Sequence, residues 1–154
     1  PAFRLRRALQ RIARRGGRVQ LVLPGKSDVA LSQLAARSLY QRLLRAGVEI
    51  YEYEPQILHA KLFIVGDAVY AGSANLDPRS LHLNYELMVR FSDVETLTRA
   101  GEIFDSLLRL SRPIDRQSWK QSRSLWTRWK ERWASFILAR VDPFFALRQW
   151  RRMR

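Results

Sequence analysis

The chain has 154 residues, of which 47% are hydrophobic and 27% are charged, a length and balance that indicate one globular domain. It has no cysteine and only two histidines, which excludes disulfides and cysteine-ligated zinc and leaves no convincing transition-metal cluster. The formal net charge of +14 predicts a polyanionic partner, either nucleic acid or acidic lipid.

Apolar periodicity and turn residues divide the first 112 residues into alternating elements. The predicted elements are, in chain order, a helix at 2–15, a strand at 19–25, a helix at 28–46, strands at 48–54, 57–65, 68–74 and 85–91, and a helix at 93–109. Ser27 or Asp28 is expected to cap the second helix, and Asp93 to start the last one. Gly66 and Asp67 form a turn signal between two strands. The order predicts an α/β layer fold with a mixed β-sheet flanked by helices.

Beyond Pro113 the alternation gives way to a stretch rich in tryptophan and arginine. Residues 112–154 contain twelve basic and three acidic side chains and all five tryptophans. Apolar residues recur there at steps of three and four, which predicts an amphipathic helical extension. We define its aromatic face as Trp126, Trp129, Trp133 and Phe136. The chain is thus predicted to divide into an α/β unit at 1–112 and a basic extension at 113–154.

This extension could pack on the α/β unit or dock on a membrane surface. Its composition favours docking, because tryptophan prefers the headgroup level of a bilayer and arginine binds anionic lipid. No apolar run approaches the roughly 20 residues that span a bilayer, and the N-terminus has no signal-peptide pattern. The chain begins at Pro1 without Met, which leaves open that it is an excerpt of a longer protein.

Polar residues interrupt the two strands that flank the turn signal. Because side chains alternate along a strand, His59 and Lys61 should share a face, and so should Ser73 and Asn75. A hairpin would bring the two pairs side by side. An imidazole, an ammonium, a hydroxyl and an amide suit a phosphate, since they offer a nitrogen that attacks or protonates and donors for the oxygens.

Both strands belong to a longer pattern, with HAK at 59–61 and GSAN at 72–75. Together these resemble the HxK and GSxN signature of the phospholipase D superfamily. The resemblance extends from PGKSD at 24–28 through YEYEP at 51–55 to residue 91, and is strongest to the C-terminal half of bacterial cardiolipin synthases. It implies a phosphatidyltransferase that forms cardiolipin from phosphatidylglycerol at the bacterial cell membrane, without a metal or organic cofactor.

The resemblance also implies a role for each polar residue. His59 would act as acid and base, with Glu86 holding its other ring nitrogen. Lys61, Ser73 and Asn75 would bind the phosphate. The reaction would pass through a phosphatidyl-histidine and need two histidine motifs, of which this chain has one. The implied partner is therefore a missing N-terminal half or a second copy of the chain.

One motif position departs from the family pattern. The family usually has aspartate seven residues after the histidine, where this chain has Gly66, followed by Asp67. The resemblance implies a structural role for that aspartate, so the change concerns local stability more than chemistry. Near the motif, Arg79 and Ser80 fit a turn or an extra phosphate donor equally well, and His82 fits a solvent-exposed loop.

Two other functions fit parts of the sequence. A phospholipase D-type nuclease would use the same phosphodiester chemistry and the charge of +14, but the aromatic extension argues against nucleic acid as partner. A catalytically idle half that only binds membranes or pairs with another half is compatible with Gly66. The intact His59, Lys61 and Asn75 argue against that alternative.

Overall fold

The structure is a computed structural model that describes residues 3–76, 80, 84–124, 126–127 and 129–137. Its elements are α1 (Phe3–Arg14), β1 (Gln20–Pro24), α2 (Ala30–Leu44), β2 (Glu49–Tyr53), β3 (Leu62–Val65), β4 (Ala68–Gly72), β5 (Met88–Phe91), α3 (Val94–Arg109), β6 (Ser111–Pro113), α4 (Arg116–Gln121) and α5, described at 126–127 and 129–137. The predicted order of helices and strands up to residue 109 is confirmed, and with it the α/β class.

The strands form two three-stranded sheets. The first has the order β1-β2-β6 and is mixed, since β1 and β2 are parallel and β2 and β6 are antiparallel. The second has the order β3-β4-β5 and is antiparallel throughout. The sequence pattern predicts one mixed sheet and does not reveal β6, whose three residues include Pro113 and carry no periodic signal.

The core lies between the first sheet and helices α1 and α2. Its buried residues are Val19, Tyr40, Leu43, Leu44, Val48, Ile50 and Ile114. Trp119 of α4 packs on this cluster, with its ring centroid 5.0 Å from that of Tyr40. Residues beyond Pro113 therefore contribute Ile114 and Trp119 to the core of the α/β layer, and the division at Pro113 stays a prediction.

A buried carboxylate ties α2, β2 and β6 together. Glu52 of β2 is fully buried, and Arg37 of α2 donates to its two oxygens at 2.9 and 3.0 Å. Arg112 of β6 donates to Glu52 at 2.8 Å and to the exposed Glu54 at 2.8 Å. Burial, with the Glu52 charge beside it, raises the pKa of the Tyr40 hydroxyl, which therefore stays protonated.

Two predicted helix starts have different outcomes. Asp93 is the N-cap of α3 and accepts a hydrogen bond from the Thr96 N–H at 2.8 Å, which confirms that prediction. The predicted cap of α2 is wrong, because the N-cap is Val29, which has no capping side chain. Ser27 instead accepts a local hydrogen bond from the Val29 N–H at 3.2 Å.

Candidate active site

The candidate residues lie at one end of the second sheet. They are His59 and Lys61 before β3, Ser73 and Asn75 after β4, and Glu86 before β5. The strand predicted at 57–65 begins only at Leu62, so the first pair lies outside regular β-structure. The Gly72 N–H nevertheless donates to the Lys61 carbonyl at 3.3 Å and extends the hairpin ladder. The two parts of the motif therefore meet at Lys61 and Gly72.

Gly72 allows β5 to approach the end of β4 closely. A Cβ atom at Gly72 would collide with the carbonyl oxygen of Leu87 and with Met88, so this packing requires glycine. Next to it, the Ser73 N–H donates to the Leu87 carbonyl at 3.0 Å, and the Leu87 N–H donates to the Ser73 hydroxyl oxygen at 3.0 Å. Ser73 is thereby fixed against the start of β5.

The Glu86 carboxylate accepts hydrogen bonds from three side chains, those of Ser73, Ser80 and Asn84. The Ser73 hydroxyl donates to Oε2 at 2.5 Å, and the Asn84 amide donates to Oε1 at 3.2 Å. Hydrogen bonds from Ser73, Ser80 and Asn84, together with the charge of Lys61, hold the pKa of Glu86 below its usual value. Glu86 is therefore a fixed anion at neutral pH.

The bond to Glu86 limits what Ser73 can do for a phosphate. A hydroxyl has one proton to donate, and in this structure the Ser73 proton goes to Glu86. Ser73 can donate to a phosphate oxygen only if it gives up that bond. Its phosphate-binding role stays a prediction, whereas its contact with Glu86 is a property of the fold.

His59 and Lys61 are linked through the backbone. The Lys61 ammonium donates to the His59 carbonyl at 2.7 Å, while the His59 side chain is exposed to solvent. Among the described residues the His59 imidazole has no hydrogen-bond partner, and Glu86 bonds to other groups. The orienting contact between Glu86 and His59 is thus not formed in this arrangement and stays a prediction. Asn75 is exposed beside them.

Ser80 and Asn84 bind the Glu86 carboxylate, a role that the sequence pattern does not predict. Ser80 is buried and hydrogen-bonds to it, although the sequence fitted a turn or a phosphate donor equally well. Asn84 lies two residues before Glu86, a spacing that places both side chains on one face of an extended segment and could have revealed the contact. Arg79 and His82 lie outside the described residues.

Gly66 occupies a two-residue turn between β3 and β4, in which Val65 pairs with Ala68. Its φ is +60°, whereas Asp67 has a negative φ. Glycine at the first central position with positive φ is the signature of a type II′ hairpin turn. The position where the family pattern has aspartate is therefore one where this backbone favours glycine.

The aromatic face of α5 is exposed. Its four side chains keep between 53% and 61% of their surface accessible. Glu131 and Ala134, at the intervening positions, are buried and attach α5 to the body, and Glu131 pairs with Arg123. The Trp126 and Trp129 rings stack with centroids 5.1 Å apart, and the Lys130 ammonium lies 5.6 Å from the Trp126 ring centroid.

Neither a membrane-spanning helix nor a cluster of metal-ligating side chains is present among the described residues. No described helix is long and apolar enough to cross a bilayer. The described residues also contain no group of three or more histidine, cysteine or acidic side chains placed to hold a metal ion.

Comparisons with known proteins agree on one family. The family model described as cardiolipin synthase, PLD-like domain, matches residues 1–108. The chain is 36% identical over 115 residues to the probable cardiolipin synthase YwiE of Bacillus subtilis, covering 74% of this chain and 23% of that protein. It is 37% identical over 133 residues to cardiolipin synthase A of Cronobacter sakazakii and of Klebsiella pneumoniae, covering 86% of this chain and 27% of each relative. The chain thus spans about a quarter of the length of these relatives. No solved structure matches it.

Proposed function

This chain belongs to the family of cardiolipin synthase PLD-like domains, and we propose that it supplies one catalytic half of a phosphatidyltransferase that forms cardiolipin from phosphatidylglycerol. The observation that carries the proposal is the extent of the family match. Residues 1–108 include the whole candidate site, from His59 to Glu86. The relatives that share this region are named cardiolipin synthases.

The proposed active site is completed by a second histidine motif. The chain has two histidines, and only His59 is followed two residues later by lysine. A mechanism with a phosphorylated histidine and a separate proton donor needs two such motifs. We infer that the second comes from another half of a longer protein or from a second copy of this chain.

His59 would transfer a proton in both steps of the proposed reaction. In the first, a histidine of the other half attacks the phosphorus of phosphatidylglycerol, so that a P–N bond forms and the P–O bond to glycerol breaks. The His59 imidazolium gives its proton to the departing glycerol oxygen. In the second step, neutral His59 takes the proton from a hydroxyl of another phosphatidylglycerol. That oxygen attacks phosphorus, the P–N bond breaks and cardiolipin leaves.

Lys61 and Asn75 are the proposed donors to the phosphate oxygens. The ammonium of Lys61 has three N–H groups, and the His59 carbonyl accepts one of them. Two remain for the phosphate, and the bond to His59 would hold the lysine at a set distance from the reacting phosphorus. Asn75, exposed at the end of β4, supports the same role with its amide.

Glu86 is proposed to orient His59 once substrate is bound. Its lowered pKa keeps it ionised, and a carboxylate stabilises the imidazolium that forms during proton transfer. To contact the His59 imidazole, Glu86 must give up one of its present hydrogen bonds. Ser73 is the natural candidate, because a phosphate oxygen would compete for its proton.

We propose peripheral membrane association through the aromatic face of α5. Four large aromatic side chains that remain more than half exposed on one helix form a patch of the kind that marks interaction surfaces. Lys130 and Arg132 lie among them and would face anionic headgroups. This surface would bring the active site to its lipid substrate at the bacterial cell membrane.

The test is cardiolipin formation from phosphatidylglycerol vesicles by the intact protein, measured by mass spectrometry. His59→Gln should lower turnover by about 10²- to 10⁴-fold, the usual contribution of a general acid or base. His82→Gln, which removes the other histidine, is the matched control and should leave turnover within about twofold of the wild type. Full activity of His59→Gln with an unchanged melting temperature would exclude the proposed role.

A nuclease remains the second candidate because the net charge of +14 suits nucleic acid. The same preparations should be incubated with single- and double-stranded DNA. If DNA is hydrolysed in a way that depends on His59 and no cardiolipin forms, the substrate is a nucleic acid and not a lipid.

A further inference from the structure

A cavity of about 450 Å³ lies between α1, α2, α4 and α5 and shares no residue with the candidate active site. We propose that this arginine cavity is a second phosphate-binding site. Its basic lining side chains are Arg6, Arg37, Arg42, Arg45, Lys120, Arg123 and Arg132. The proposal is independent of the reaction proposed above, because it concerns binding at a separate place in the fold.

The charge of the lining is strongly one-sided. Seven basic side chains face one acidic lining residue, Glu131, which is buried and paired with Arg123. Arg37 is paired with Glu52, which lies outside the lining. A concave surface with this excess of positive charge concentrates anions, because its low-dielectric walls focus the field.

Helices α1 and α2 crowd these cations together. Arg6 is partly buried, and its burial together with the charges of Arg42 and Arg7 lowers its pKa. Like charges held close together in a partly desolvated place oppose folding, and a bound anion would remove that cost. Arginine is also the side chain best suited to phosphate, because its planar fork can donate two parallel hydrogen bonds.

The wall of the arginine cavity is ordered on the α4 side. The Arg123 guanidinium stacks on Trp119, 3.9 Å from the ring centroid, and the Trp119 ring packs on Tyr40 of the core. The indole N–H of Trp119 is buried and has no acceptor among the described residues. Gln41 and Ser135 add neutral donors to the lining, whereas the Ser38 hydroxyl donates to the Ala35 carbonyl at 2.7 Å. The volume falls within the range of small-ligand sites, roughly 300 to 1,000 Å³.

Phe136 connects the arginine cavity to the aromatic face, since it belongs to both. A phosphate carried by a lipid headgroup could therefore reach the cavity from a membrane surface, and free phosphate could reach it from solution. Both ligands present the same chemistry to the arginines, a phosphate with at least one negative charge.

Titration calorimetry on the full chain tests the proposal. The probes are inorganic phosphate and dihexanoyl-phosphatidylglycerol below its micelle concentration, at constant ionic strength set with sodium chloride. The test variant is Arg42→Gln with Arg132→Gln, since both side chains line the cavity and are exposed. The matched control is Arg90→Gln with Arg109→Gln, which removes the same charge from exposed positions outside the cavity.

We expect saturable binding of at least one probe, weakened at least about tenfold in the cavity variant and by less than about twofold in the control, since two charge-assisted hydrogen bonds are lost only in the former. A larger loss of lipid binding in the cavity variant identifies a headgroup as the ligand of the cavity, and a larger loss of phosphate binding identifies a soluble one. Either result supports the proposal.

Equal losses in both variants would overturn the proposal, because they would assign binding to the overall charge. Absence of saturable binding of both probes would overturn it as well. His59→Gln should bind both probes like the wild type, so a failure of the proposed catalytic role would leave this result unchanged. Phosphate should also raise the melting temperature of the wild type and the control, but not that of the cavity variant.

Discussion

The hydroxyl of Ser73 and the carboxylate of Glu86 are joined by a 2.5 Å hydrogen bond between the end of β4 and the start of β5. Gly72 makes this contact possible, because only a residue without Cβ lets the Leu87 carbonyl come so close. The sequence GS at 72–73 therefore has a structural meaning in addition to its proposed chemistry. Gly72 allows β5 to pack closely against β4, and Ser73 binds the carboxylate of Glu86, which lies just before β5.

Replacing Ser73 should raise the pKa of Glu86. In Ser73→Ala the Glu86 carboxylate loses the hydrogen bond that contributes most to its lowered pKa. It keeps the hydrogen bonds from Ser80 and Asn84. We expect its titration, followed by carboxyl ¹³C NMR, to shift toward the usual glutamate value. Because the folded-state pKa lies below the unfolded value, Glu86 stabilises the fold above the unfolded pKa. That contribution is lost as the pH falls through the folded pKa. The variant should therefore lose less stability than the wild type over that acid range.

Ser106→Ala is the matched control for this measurement. Ser106 lies on α3, where its hydroxyl donates to the Ile103 carbonyl at 2.7 Å and does not contact Glu86. The Ser106→Ala substitution should leave the pKa of Glu86 unchanged. An unchanged Glu86 titration in Ser73→Ala would mean that the bond between the two residues does not persist in solution.

The turn at Gly66 should tolerate only glycine well. Gly66 and Gly101 both have open space where a Cβ would lie, but only Gly66 has a positive φ. Gly66→Ala should therefore destabilise the fold by about 1 kcal/mol, whereas Gly101→Ala in the interior of α3 should stabilise it by about 0.5 to 1 kcal/mol. Urea unfolding of both variants measures the difference. Similar effects of the two substitutions would contradict the assigned turn.

The same reasoning applies to the aspartate of the family pattern. Gly66→Asp places a side chain on the same strained backbone and should destabilise to a similar extent, about 1 kcal/mol, with little change in turnover. A large gain in cardiolipin formation at unchanged stability would instead show that Gly66 limits the activity.

Periodicity and motif spacing are sufficient to predict the order of elements and the hairpin that places Lys61 opposite Gly72. They could not reveal β6, since three residues with a proline carry no period, or the separation of the strands into two sheets, which depends on long-range pairing. The partner of Glu86 was also missed. A carboxylate has several possible donors nearby in sequence, and only the approach of β5 to Gly72 selects Ser73.

Charged residues were the least predictable from pattern alone. Glu52 lies in an alternating strand and Glu131 among the polar positions of a predicted amphipathic helix, yet both are buried. Arg37 and Arg112 form ion pairs with Glu52, and Arg123 forms one with Glu131. These arginines lie far away in the sequence or at a spacing that no periodic pattern specifies. The arginine cavity was missed for the same reason, because its lining comes from four helices whose packing no local pattern specifies.

Removing the buried carboxylate of Glu52 should be costly. Glu52→Ala leaves Arg37 and Arg112 without their shared partner, and because both arginines keep contact with solvent the cost should be about 2 to 3 kcal/mol, below that of leaving a fully buried charge unpaired. Glu54→Ala is the matched control, because Glu54 also pairs with Arg112 but is half exposed and should cost less than about 1 kcal/mol. The free energies of unfolding in urea give both values. Comparable losses would mean that burial of Glu52 does not set its contribution.

Membrane binding should depend on two separable properties of α5. Trp129 and Trp133 are exposed on the aromatic face, and transferring their rings into the headgroup boundary should stabilise binding at roughly 25 cal/mol per Å² buried. Trp129→Ser with Trp133→Ser should weaken binding to phosphatidylglycerol vesicles at least about tenfold. Ile103→Ser, which removes an exposed apolar side chain from α3, should have little effect and is the control.

The electrostatic part of this binding is measured by salt. Basic side chains near an anionic surface contribute about 1 kcal/mol each, and added salt screens them over roughly 8 to 10 Å. Binding of the wild type to phosphatidylglycerol vesicles should therefore weaken with salt but persist in part, with a blue shift of tryptophan emission, and phosphatidylcholine vesicles should bind less. The double tryptophan variant should lose the salt-resistant part. If both vesicle types fail to bind while duplex DNA binds with a steep salt dependence, the exposed tryptophans do not serve a membrane and the nuclease becomes the better explanation of the charge.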